Sequence, residues 1–100
     1  MESQLKRGFL EVVVLASLKY QDSYGYMIAQ EVANVVDISE STLYPILRRL
    51  ESQGFVTTYE TTHNSRIRRN YQITKAGLKK LEDSDTDFRE MKKIFDYILR

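Results

Sequence analysis

The segment from Leu5 to Tyr20 is apolar on two sides. Leu5, Phe9, Val12, Val13 and Ala16 recur at helical spacing and make one face, while Leu10, Val14 and Leu18 make a second stripe. A helix of this kind needs two burial partners. The chain has 100 residues, which supports one domain, or a small domain plus one appended element. A core that thin can supply one of the two partners and leaves the other to be found elsewhere.

Further on, the period changes twice. Residues from about Tyr24 to Val35 form a second helix, with Tyr24, Ile28, Val32 and Val35 on one face and Asp22 or Ser23 as its cap. Gly25 in its first turn lowers helix propensity, and a close approach to a neighbouring element is the simplest compensation. After a connector at Val36–Ile38, Ser39 or Ser41 caps a third helix that ends at Gln53, with Gly54 as the left-handed residue beyond it. Its apolar face is Leu43, Ile46, Leu47 and Leu50. Pro45 lies near the helix start and leaves a carbonyl near Ser41 without its usual donor. Phe55–Thr62 and Arg66–Ile73 then read as two strands of a hairpin, with His63, Asn64 and Ser65 turning between them. Ile67, Arg69, Tyr71 and Ile73 share one face of the second strand; Arg66, Arg68, Asn70 and Gln72 share the other.

Thr74 caps a last helix that runs to the C-terminus. Leu81, Phe88 and Phe95 are seven apart, as are Met91 and Ile98, and the remaining positions are densely charged. This heptad pattern is broken at Ser84 and outruns what a domain of about 75 residues can cover. A second subunit is its expected partner, with Leu10, Val14, Leu81, Phe88, Met91, Phe95 and Ile98 at the dimer interface. The fold class is therefore mainly α with a two-stranded β-hairpin: a winged helix-turn-helix domain over residues 1–77 and a dimerisation helix over 78–100.

Composition removes several functions. There is no cysteine and one histidine, which excludes a disulfide scaffold, a thiolate metal site and a multi-histidine metal site within one chain. No catalytic constellation and no cofactor site stand out, so the chain is not read as an enzyme. No apolar run approaches the roughly 18 residues of a membrane span, and no cleavage pattern marks a signal peptide; a cytoplasmic protein is expected. The net charge of +1 argues against nucleic acid only as an average. Residues 1–37 carry −2, residues 38–77 carry +3 and residues 78–100 carry zero. The basic excess therefore lies in the middle of the chain, in the block that holds the third helix and the hairpin.

In a winged helix-turn-helix the third helix can enter the DNA major groove and the wing can lie over the backbone or the minor groove. The polar residues at the helix start are Ser39, Ser41, Thr42 and Tyr44, followed by Arg48 and Arg49, of which at least one should face outward. The wing supplies His63, Asn64, Arg66, Arg68 and Arg69. Hydroxyls suit base edges and phosphates, and arginine suits phosphates and narrow minor grooves. Double-stranded DNA is the expected partner. The alternative is a winged-helix module that binds protein and not DNA, whose wing face would be apolar or acidic.

The run Tyr24-Gly25-Tyr26-Met27-Ile28, the run from Ser39 to Glu51 containing Thr42-Leu43-Tyr44-Pro45, and the run from Arg69 to Gly77 together resemble the PadR family of transcriptional regulators. The match extends over about residues 5–77, with Ser41 where the family commonly has glycine. A single C-terminal helix is similar to the family's small-chain members. The resemblance implies a homodimer on a palindromic operator, usually a repressor, whose last helix packs on its partner's N- and C-terminal helices. It also implies, for some members, a planar aromatic or cationic drug held between subunits that releases repression of a transporter gene. A tryptophan lines that site in such members; here Phe88, Phe95 and Tyr97 are the candidates to replace it, against a closed apolar interface.

Overall fold

The computed structural model describes residues 3–100, and the side chains from Gly8 onward. Leu5, assigned above to the first helical face, lies outside the described side chains. The element order is α1 (Ser3–Ser17), β1 (Ser23–Tyr24), α2 (Gly25–Val32), α3 (Glu40–Ser52), β2 (Val56–His63), β3 (Arg66–Ile73) and α4 (Lys75–Ile98). The architecture is the winged helix-turn-helix plus long helix expected from the periodicities. The sheet differs in having three antiparallel strands, ordered β1-β3-β2. β1 is too short to show any alternation, so its pairing of Ser23 with Tyr71 and Tyr24 with Asn70 left no trace in the pattern.

The two stripes of α1 are covered differently from the expectation. Leu10, Val14 and Leu18 are buried in the protomer's own core with Leu15, against Ile28 and Val32 of α2 and Leu43, Leu47 and Leu50 of α3. Leu10 and Val14 are 6% and 0% exposed, so neither can form a dimer interface. The other stripe turns to α4, where Phe9 meets Phe88 with ring centroids 6.2 Å apart.

α2 is shorter than its apolar spacing suggested. Its N-cap is Tyr24, with no side-chain cap bond, in place of Asp22 or Ser23, and it stops at Val32. Val35 therefore leaves the apolar face and is 76% exposed. α3 begins and ends as read: Ser39 accepts the Thr42 N–H, and Gly54 takes φ +80°. Beyond that end, Phe55 N–H bonds to Leu50 O at 2.9 Å and Gly54 N–H to Glu51 O at 3.0 Å, the paired bonds of a Schellman cap.

α4 starts on this cap. Thr74 accepts the Gly77 N–H as N-cap and donates its hydroxyl to the Gly54 carbonyl at 2.7 Å, while Thr74 N–H bonds to Phe55 O at 3.0 Å. Gly77 is buried against the same turn; a Cβ there would lie 2.3 Å from the Phe55 carbonyl oxygen. The Thr74-to-Gly77 segment is thus a joint between the end of α3, the start of the hairpin and the long helix. Leu81 packs partly against the core. Beyond it the helix becomes exposed: Phe95 is 48% exposed and Ile98 64%.

Candidate nucleic-acid interface

α3 presents its polar side to solvent by simple helical spacing. Ser41, Tyr44 and Arg48 recur at three and four residues and are all exposed, opposite the buried Leu43, Ile46, Leu47 and Leu50. At the helix start the hydroxyls are tied to one another: Ser39 Oγ lies 2.9 Å from Ser41 Oγ and 3.1 Å from Thr42 Oγ1. They cap the helix and stay at the surface at once. Arg49 is different. One residue further around the helix, it turns about 100° and pairs with Glu11 of α1, partly buried. Arg49 is therefore withdrawn from the outward face, and of the two adjacent arginines only Arg48 is presented there.

Tyr44 lies across the start of α2. A Cβ on Gly25 would meet its hydroxyl oxygen at 2.6 Å, which is the close approach that the glycine's position called for. Tyr26 is exposed, and its hydroxyl accepts from Gln30 Nε2 at 2.8 Å.

The wing stands beside this helix face. Asn64 and Ser65 both have positive φ, at 51° and 64°, which makes a two-residue hairpin turn with His63 paired to Arg66. On one face of β3, Tyr71 is buried and Ile73 half-buried, then Arg69 and Ile67 carry that face past the end of the core. Arg69 Nη2 lies 3.5 Å from Glu51 Oε1, and Thr58 donates to the other oxygen of the same carboxylate at 3.2 Å. These contacts fasten the wing to α3. On the opposite face the Arg68 guanidinium lies over the Tyr24 ring, 3.9 Å from its centroid. Asn70 donates to Thr61 Oγ1 at 2.9 Å, and Tyr59 donates to Asp22 at 2.6 Å. That last bond to a carboxylate holds the Tyr59 hydroxyl above the ordinary tyrosine pKa.

Between α3, the start of α2 and the wing runs an open cleft of about 810 Å³, and Tyr44, Arg48, Arg66, Arg68, Arg69, His63 and Asn64 all line it. Among the described residues, Arg48, Arg66 and Arg68 pair with no carboxylate. Ile67 also faces it, 73% exposed. The sequence pattern did not single out Tyr24, Tyr26 or Ile67 for this cleft, because β1, which brings Tyr24 beside the wing, is too short to show in it.

The three aromatics considered for a ligand do not converge. Phe88 and Phe95 are seven residues apart and share a face, but Tyr97 is nine residues from Phe88, about two and a half turns, and points away from both. Its ring is covered by its own neighbour Arg100, 3.7 Å from the centroid. A groove of about 330 Å³ between α1 and α4 is lined by Val12, Ala16, Leu81 and Phe88, without Phe95 or Tyr97.

A three-helix domain with a basic hairpin beside the third helix defines a winged helix-turn-helix domain. Residues 14–83 match the model of the transcriptional regulator PadR-like family. The chain belongs to that family. It is 39% identical to a structure from Streptococcus mutans, with TM-score 0.81, covering 89% of this chain and 84% of that one. It is 27% identical to the transcriptional regulator Rv3488 of Mycobacterium tuberculosis over 88% of this chain and 83% of the relative. It is 26% identical to Bacillus subtilis PadR solved in complex with operator DNA, with TM-score 0.68, covering 74% of this chain and 45% of that one. Among the described residues, no helix is long and apolar enough to cross a membrane.

Proposed function

We propose that this regulator is a homodimeric repressor that binds a palindromic operator through α3 and the wing. The observation that carries the reading is the cleft itself: arginines from two elements that pair with no carboxylate among the described residues, Arg48 on α3 and Arg66 and Arg68 on the wing, face one space beside exposed hydroxyls. The operator complex of the Bacillus subtilis relative supports the same use of the fold.

In this reading Ser41, Tyr44 and Arg48 approach base edges in the major groove, and Ser39 and Thr42 meet phosphate at the helix start. His63, Asn64, Arg66 and Arg68 follow the backbone or the neighbouring minor groove. Arg49 and Arg69 hold α3 and the wing in place. The winged domain, residues 1–77, reads DNA, and residues 78–100 pair two copies through Met91, Phe95 and Ile98, with Leu81 and Phe88 at the edge. Two recognition helices then lie about one DNA turn apart, roughly 34 Å. A planar aromatic effector would act in this reading between the Phe88 and Phe95 rings of two subunits, without Tyr97.

Binding to a duplex from the promoter beside the gene, measured by gel shift across salt concentrations, tests the proposal. Arg66→Ala combined with Arg68→Ala is expected to weaken binding and to lower the magnitude of the salt slope by about two. Unchanged affinity and slope would remove the wing from the interface.

A further inference from the structure

We infer that Tyr24 is a positioning residue for the wing, holding the Arg68 guanidinium ready for a directional contact with nucleic acid. The inference rests on the DNA-binding reading above and goes further, because it assigns different work to two wing arginines of equal charge.

The placement follows from register. Tyr24 pairs with Asn70 across β1 and β3, so the two side chains share a face of the sheet. Arg68 is two residues along β3 from Asn70 and stands on that same face. Its side chain runs back over the tyrosine, and the guanidinium carbon comes to 3.9 Å from the ring centroid. Asn70 is occupied by Thr61 Oγ1 at 2.9 Å and by backbone carbonyls. The tyrosine ring is thus the surface on which Arg68 rests.

Stacking engages only the flat face of a guanidinium. The N–H donors lie in its plane and stay available in their fork geometry, which matches a phosphate with two parallel bonds. A free arginine must give up rotamer freedom when it docks; a stacked one has given up much of it beforehand. Arg68 is half-buried, whereas Arg66 is exposed. Arg66 therefore supplies charge to the wing, and Arg68 supplies a placed fork. Tyr24 also immediately precedes Gly25, against which Tyr44 of α3 packs. Two consecutive residues, Tyr24 and Gly25, set the wing arginine and the recognition helix from one point on the backbone.

The test is equilibrium binding of the full chain to a promoter duplex by fluorescence anisotropy, repeated over a salt series, with melting temperatures in parallel. The variants are Tyr24→Phe, Tyr24→Leu, Arg68→Ala and the double Tyr24→Leu/Arg68→Ala. Phenylalanine keeps the ring and should bind within about twofold of the unsubstituted protein. Leucine should bind about three- to tenfold more weakly, with an unchanged salt slope, since no charge is lost. The double variant should bind no more weakly than Arg68→Ala alone. Wild-type affinity in Tyr24→Leu, or a loss that adds in full to that of Arg68→Ala, overturns the positioning role while leaving DNA binding intact. Absence of salt-dependent duplex binding by the unsubstituted protein overturns the underlying reading and the inference with it.

Discussion

A methyl group on Gly25 would lie 2.6 Å from the hydroxyl oxygen of Tyr44, so the tyrosine ring rests where only a residue without a side chain leaves it room. The atoms in the way belong to the far end of a side chain, which can swing aside. Gly25→Ala is therefore expected to leave stability within about 1 kcal/mol, since alanine's better helix propensity offsets part of the clash. It should still weaken operator binding by displacing Tyr44. Combining it with Tyr44→Ala should remove the clash, read as recovery of any melting-temperature loss without recovery of binding.

Gly77 meets backbone instead. Its hypothetical Cβ would be 2.3 Å from the Phe55 carbonyl oxygen and 2.6 Å from Ile73 Cγ1. Gly77→Ala must push α4 off the α3–β2 turn, and a destabilisation of about 2–3 kcal/mol is expected. Urea unfolding would measure it, and a loss under about 0.5 kcal/mol would show that the joint can open at little cost.

Arg48 and Arg49 are neighbours with opposite surroundings. Arg48→Ala should weaken operator binding and reduce the salt slope while leaving the melting temperature nearly unchanged. Arg49→Ala should cost about 1 kcal/mol of stability through its ion pair with Glu11 and leave the salt slope unaltered. Equal slopes in the two variants would contradict the division between them.

Tyr59 and Tyr71 both have pKa values raised above the ordinary tyrosine value, Tyr59 by its hydrogen bond to Asp22 and Tyr71 by burial. For both, the folded form holds the proton more tightly than the unfolded chain. Their contribution is intact below about pH 10 and is lost as the pH rises through the folded values. Alkaline unfolding curves should show the loss, and Tyr59→Phe should make stability less sensitive to pH in that window. An identical pH dependence with and without the Tyr59 hydroxyl would remove the Asp22 bond from the account.

Phe95→Glu or Ile98→Glu places a charge on the exposed stripe of α4. Either should convert a dimer into a monomer in sedimentation equilibrium and weaken binding to a two-site operator far more than to a half-site. An unchanged dimer mass would move the interface elsewhere.

The elements with long, regular periods were legible from the residues. Ser39, Gly54 and Thr74 mark their helix ends where the structure has them, and the outward row on α3 followed from spacing. What escaped was set by contacts distant in sequence. Arg49 looks like Arg48 until Glu11, 38 residues away, is placed beside it. Leu10 and Val14 look like surplus surface until α2 and α3 close over them. Tyr24 fits a helical face by spacing, but pairing with Asn70 draws it into the sheet. Tyr97 was grouped with Phe88 and Phe95 by chemistry alone, and the angle around the helix separates it.

The joint at Thr74 has a mechanical consequence. The hydroxyl bond to Gly54 and the fit of Gly77 on Phe55 make one corner of the recognition helix, the wing and α4. With 24 residues, α4 is a rod of about 36 Å. A tilt of about 5° at the corner moves its far end by about 3 Å, a displacement comparable to one base-pair step. In the proposed dimer the distance between two reading heads is then governed by leverage, and a small change where the two rods meet would be magnified at the DNA.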